Sequence, residues 1–285
     1  MKKLIALLLA VACAFSFIAC SKTKQITIAI PNDATNEGRA LLLMEELGYI
    51  ELDDAAGITA SINDITSNPY NIKFQEVEAA QLPSVLKDVD YAIINSNYAL
   101  NAGLNPVKDG LACEDANSPY ANILCVKEGN ENADWAKALK AALESQQVKD
   151  YISTKYDGSV VATVENPTDG YDATVDYENL SKKTIKIVAT PTPHAEILND
   201  VVKGILSAKG VTLDVIEVND YVTPNNSVDS GDADANYFQH LPYMNEFNTE
   251  NGTKVVSISA IHVEPLAIYG GKQTSLSAIK ENSSK

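Results

Sequence analysis

Arginine is almost missing from this chain: of its 22 basic residues one, Arg39, is arginine and the others are lysine. Histidine is nearly as scarce, with His194, His240 and His262 in three separate segments. No serine stands in a Gly-x-Ser-x-Gly elbow, no His-Glu-x-x-His or Cys-x-x-Cys occurs, and no glycine-rich phosphate loop is present. The common hydrolase, zinc-protease, dithiol and nucleotide sites are thereby excluded, and neither a catalytic residue nor a cofactor is expected. His262 and Glu264 would share one face of a strand, but two ligands without a third make no metal site, so none is expected. Positive charge is also short, 22 Lys and Arg against 38 Asp and Glu for a net charge of −16. Such a surface repels phosphate backbones, which argues against nucleic acid and anionic headgroups as partners.

Long apolar runs are lacking too, apart from the first nineteen residues. There Lys2 and Lys3 precede a leucine- and alanine-rich stretch too short to span a bilayer, closed by Phe17-Ile18-Ala19-Cys20. This stretch resembles a lipoprotein signal peptide, which implies cleavage before Cys20 and lipidation of its sulfur. Its removal takes two lysines and no acids, so −16 becomes −18 for the mature chain. Two cysteines then remain, Cys113 and Cys125, each where a strand would take a small apolar residue. Buried free thiols are expected rather than a bridge.

What the chain has is an alternation of strand and helix patterns, which predicts an α/β architecture with largely parallel sheets. Strands are expected at 26–30, 91–95, 123–127, 185–189, 213–218 and along the run 255–268, and helices at 36–47, 134–144, 148–155 and 196–209. Residues 165–183, with Pro167, Gly170 and several acids, read as an exposed linker.

Arg39 follows Pro31 closely and falls in what reads as a first helical turn, where a cation opposes the helix dipole unless an anion arrives. A planar fork that grips a carboxylate through two N–H bonds requires arginine rather than lysine. Aromatic and amide residues cluster around turn signals at Ile94–Ala99, Ser118–Asn122, Asn219–Asn225 and Gly231–Tyr243. Arginine for a carboxylate, amide oxygens for an ammonium and rings for an apolar remainder are the parts of a zwitterion site.

These segments, with Thr190–Leu198 and His262–Tyr269, resemble the NlpA-type methionine-binding lipoproteins, the MetQ-like receptors of methionine importers. The resemblance covers almost the whole mature chain, but in a changed order. In the family the stretch like Thr184–Pro191 comes first, and the stretch like Ile26–Arg39 follows the one like His262–Tyr269. The chain therefore reads as a circular permutant whose former ends are joined by residues 165–183. The resemblance implies a two-lobed, type II-like periplasmic-binding-protein fold. One lobe would be residues 25–122 plus 272–285 and the other 123–271, with the chain crossing near Ile123–Lys127 and Leu266–Gly270.

Residue by residue, the resemblance implies Arg39 for the ligand carboxylate, Asn95 and Asn122 for the head group, and Tyr221, Phe238, His240 and Tyr243 for the side-chain pocket. A buried Arg39 would otherwise lack an anion. The implied protein is a monomeric, lipid-anchored, extracytoplasmic receptor that delivers L-methionine to an ABC permease with its ATPase. The alternatives are a receptor for a methionine-containing dipeptide or another amino acid, or a surface lipoprotein outside transport.

Overall fold

The computed structural model describes residues 25–115 and 120–283; Cys20 and the Ser118-Pro119 pair lie outside the described residues. In chain order the first lobe holds strands β1 (Thr27–Pro31), β2 (Glu51–Leu52), β3 (Ile65–Ser67), β4 (Lys73–Val77), β5 (Tyr91–Ile94) and β6 (Gly110–Cys113), with helices α1 (Ala34–Glu46) and α2 (Ser96–Asn101). The second lobe holds β7 (Ala121–Lys127), β8 (Val161–Ala162), β9 (Thr184–Ala189), β10 (Thr212–Glu217), β11 (Ala235–His240) and β12 (Val255–Val263). Its helices are α3 (Asp134–Leu143), α4 (Gln146–Tyr156), a helical run over 191–207, α5 (Thr223–Ser230) and α6 (Leu241–Asn251). The chain then returns to the first lobe as β13 (Ala267–Gly270) and α7 (Ser277–Ser283). Among the described residues no helix is long and apolar enough to cross a membrane.

Each lobe is built on one mixed sheet, in the orders β4-β1-β5-β13-β6 and β10-β9-β11-β7-β12-β8. The apolar run of β1 is buried from Ile28 onward because it pairs in parallel with β4 on one side and β5 on the other. β9 likewise lies parallel to β10 and β11. The remaining neighbours, β11-β7, β7-β12, β12-β8, β5-β13 and β13-β6, run antiparallel. Parallel pairing thus accounts for two of the four pairings in the first sheet and two of the five in the second. Strands that carry the chain out of a lobe and back again must run in opposite directions.

The run 255–268 is not one strand. It breaks at Glu264-Pro265-Leu266, and β12 and β13 belong to different sheets. Pro265 has no N–H to donate to a ladder, which suits it to the passage between sheets. Strand β6 of the first sheet ends at Cys113 and β7 of the second begins at Ala121, the return passage is 264–266, and β13 joins the first lobe instead of the second. Residues 165–183 need correction as well. They form no long element, yet Thr168 exchanges backbone hydrogen bonds with Glu144 and Gln146, both 2.9 Å, and Leu180 is buried. Tyr171, Val175 and Tyr177 pack on the second lobe's core, so the segment is a docked strap.

Helix α1 begins two residues before its predicted start because the Asp33 carboxylate accepts the backbone N–H of Asn36 at 3.0 Å. Arg39 is consequently its sixth residue, in the second turn, and does not sit against the dipole's positive end. Gly38 has a packing reason: a Cβ there would lie 2.3 Å from the carbonyl oxygen of Ile58. Both remaining cysteines are free, but only Cys125 is buried, and Cys113 at the end of β6 is exposed.

Candidate functional site

Residues of both lobes line one shared pocket. From the first lobe, α1 supplies Asn36 and Arg39, three residues apart on one helix face, and the turn from β5 into α2 supplies Asn95 and Asn97. From the second lobe come Asn122 on β7, Tyr221 before α5, and Tyr243 on α6. Phe238, Gln239 and His240 also reach it from the end of β11, where the register against β7 shifts between Tyr237 and Gln239. All seven residues expected from the sequence line this one cavity. In the segment Gly231–Tyr243 the turn signal holds for 231–234, and residues 235–240 form a fully buried strand that runs into α6.

Arg39 already has its anion. Its Nε and Nη2 meet the two carboxylate oxygens of Glu114 at 2.7 and 2.5 Å, and Nη2 also donates to the Glu264 carbonyl at 2.8 Å. The guanidinium lies 4.5 Å from the centre of the Tyr120 ring. Burial pulls the arginine's pKa down, and Glu114 more than offsets this, leaving it raised. Buried Arg39 therefore needs no incoming carboxylate, because a carboxylate of the chain itself answers it. Nη1 is different: it has no partner among the described residues and is not among their sealed unpaired atoms. It is the donor left to the cavity.

The amides form a directed chain. Asp33 accepts from Asn36 Nδ2 at 2.8 Å, which turns Asn36 Oδ1 toward Asn95 Nδ2, also 2.8 Å away. Asn95 Oδ1 is then left sealed without a partner, in a residue only 6 % exposed. Asn122 faces backward, its Oδ1 2.9 Å from His194 Nε2. His194 Nε2, His262 Nε2 and Glu264 Oε1 lie within 4.8 Å of one another, so the structure adds the third group that the sequence did not place beside the other two. All three atoms are engaged with each other: His262 Nε2 and His194 Nε2 stand 2.8 and 3.3 Å from Glu264 Oε1. Tyr237 and Thr190 occupy the two Nδ1 atoms. Burial, assisted by His262, holds His194 well below the usual imidazole range.

The opposite wall consists of rings. Tyr221 lies 5.8 Å from both Phe238 and Tyr243, Phe238 lies 6.0 Å from Tyr243, and His240 6.2 Å from Tyr243, mostly edge to face. Tyr243 donates its hydroxyl to the Tyr221 carbonyl at 2.9 Å, and Tyr221 donates across the cleft to Asn97 Oδ1 at 2.7 Å. His240 also caps α6, its Nδ1 accepting the N–H of Tyr243 at 3.2 Å, and burial beside Arg39 holds it well below the ordinary imidazole range.

The sequence model of the NlpA lipoprotein family matches residues 22–164 and 185–284. The chain belongs to the NlpA lipoprotein family. Its NlpA match omits 165–184, which coincides with the docked strap. Among curated relatives, Membrane lipoprotein TpN32 of Treponema pallidum is 47% identical over 135 residues, and D-methionine-binding lipoprotein MetQ of Escherichia coli is 40% identical over 136. Each alignment covers 47% of this chain and 50% of the relative, so the chain spans about half the length of the curated relatives it matches. Among solved structures, a nutrient binding protein from Burkholderia cenocepacia bound to methionine is 45% identical, with a TM-score of 0.48 over 49% of this chain and 59% of that one.

Asn36, Asn97, Gln239, Glu114 and Glu264 are site residues that the sequence reading missed. Asn36 is one helical turn before Arg39 in the same motif and could have been found from that spacing. Nothing local marks Glu114, whose role depends on a contact 75 residues away in sequence.

Proposed function

We propose that this NlpA-family chain is a lipid-anchored, extracytoplasmic receptor that binds methionine between its lobes for delivery to an ABC importer, without catalysis. The observation that carries the reading is the pairing of Arg39 Nη1, open to the cavity, with the sealed acceptor Asn95 Oδ1 and a wall of rings. A thioether fits beside such rings, each sulfur–aromatic contact contributing about 0.3–1.5 kcal/mol. The names of relatives as methionine-binding lipoproteins, and the methionine in the Burkholderia protein, support the ligand. Arg39, Asn95 and Asn122 would serve the head group, and Tyr221, Phe238, His240 and Tyr243 the side chain.

The permuted order is part of the same proposal. It is supported by a family match that is parted at the strap and by alignments that end at half of each relative. In that reading residues 25–115 with 267–285 form one lobe and 121–263 the other, and Cys20 tethers the chain through the first. Calorimetry with L- and D-methionine, after bound ligand is removed, tests the receptor reading. One site per chain with either isomer is expected, and absence of heat from a folded protein would overturn it.

A further inference from the structure

We infer that the ligand's ammonium group, received by Glu264 and Asn95, is the principal determinant of selection at this cavity, ahead of its carboxylate. The inference rests on the amino-acid reading above. The charges decide the matter. Glu114 takes Arg39 in a bidentate pair, so the guanidinium is neutralised before a ligand enters and keeps only Nη1 for it. Glu264, 5 % exposed, has no such counterion. Its Oε1 stands 2.8 Å from His262 Nε2 and 3.3 Å from His194 Nε2. Its Oε2 has no partner among the described residues and is not sealed, and the residue lines the cavity.

Asn95 adds a second acceptor, and its orientation is not arbitrary. The Asp33 carboxylate can only accept, so Asn36 must give it Nδ2 and turn Oδ1 toward Asn95, which must answer with its own Nδ2. Asn95 Oδ1 is left over by elimination. The wall thus offers two acceptor oxygens, Glu264 Oε2 and Asn95 Oδ1, beside the donor Arg39 Nη1. A buried carboxylate with an unpaired oxygen is completed by a cation, and an ammonium brings three N–H groups to such acceptors.

The experiment is calorimetry of the ligand-stripped protein with L-methionine and with two analogues that each lose one head group. 3-(Methylthio)propylamine keeps the ammonium, and 4-(methylthio)butanoate keeps the carboxylate. The amine is expected to bind roughly ten- to hundredfold more tightly than the acid, the scale of a hydrogen bond to a charged group. Equal affinities, or a tighter acid, would overturn the inference while leaving methionine binding intact. Absence of methionine binding would instead remove the reading beneath it. Glu264→Gln is expected to weaken methionine and the amine by that factor and to leave the acid unchanged or improved. Loss of all three equally would count against the assignment, and the analogue comparison in the parent protein stands even if the variant does not fold.

Discussion

The two walls of the cavity are stabilised in opposite ways. The first-lobe wall is polar, and each of its groups is aimed by a hydrogen bond from another: Asp33 sets Asn36, Asn36 sets Asn95, and Glu114 holds Arg39. The second-lobe wall is aromatic, and its rings hold one another by edges and short-range contact. Buried polar groups tolerate few arrangements because each unmade hydrogen bond is expensive, whereas apolar rings need mainly shape. Damage should therefore spread along the polar wall and stay local in the ring wall.

Arg39→Ala breaks the polar wall at its centre and leaves Glu114 buried without its cation; a loss of about 3–5 kcal/mol is expected by urea denaturation. Arg39→Met combined with Glu114→Leu should recover much of that stability without recovering ligand affinity, which separates the pair's structural part from its binding part. Asn36→Ala, by removing the acceptor of Asn95 Nδ2, should cost about 1–3 kcal/mol in the same measurement. A smaller loss would mean that the amide chain is not directed as described.

The histidines on both sides give the next effect. His194 and His240 are held neutral by burial, with His262 and Arg39 respectively adding to the shift, from an ordinary value of 6.5. Above that value neither folded nor unfolded chain is protonated there. Below it the unfolded chain binds protons that the folded one refuses, so stability declines as pH falls from about 6.5, by up to about 1.4 kcal/mol per unit for each histidine. Denaturation curves at about pH 7.5 and 5.5 check this, and a flat profile would show that the rings accept protons in the fold. On the ring wall, Tyr221→Phe deletes only the hydroxyl bond to Asn97, and a loss of about 0.5–1.5 kcal/mol in stability is expected.

The lining of the candidate pocket was more legible in the sequence than the fold around it. Arg39, Asn95 and Asn122 and the four ring residues sit in long motifs, and each could be named from its neighbours. The sheet order depended on pairings across most of the chain, such as β13 with β5 and β6, which no local pattern encodes. Strand β11 was hidden for a related reason. Its residues Asn236, Gln239 and His240 are polar, yet they are buried because Asn225, Cys125 and Asn36 satisfy them from distant segments. Composition marks such a stretch as a turn until those partners are known. The strap at 165–183 was misjudged because Tyr171 and Tyr177 are spaced without period, although Lys209 and the core beneath them hold both rings.

Glu114 and Glu264 share a position whose effect is mechanical. Each lies where the chain passes from one lobe to the other, and the passages run side by side, with Glu114 N–H donating to the Leu266 carbonyl at 2.9 Å and Leu266 N–H to Glu114 Oε2 at 3.0 Å. A swing of one lobe against the other would pivot near this contact, and an atom travels in proportion to its lever arm. Arg39, clamped to both passages, travels least, while contacts farther from them, such as Tyr221 with Asn97, open first. The charged end of the cleft thus keeps its geometry at every angle of opening, like the pin of a pair of tongs.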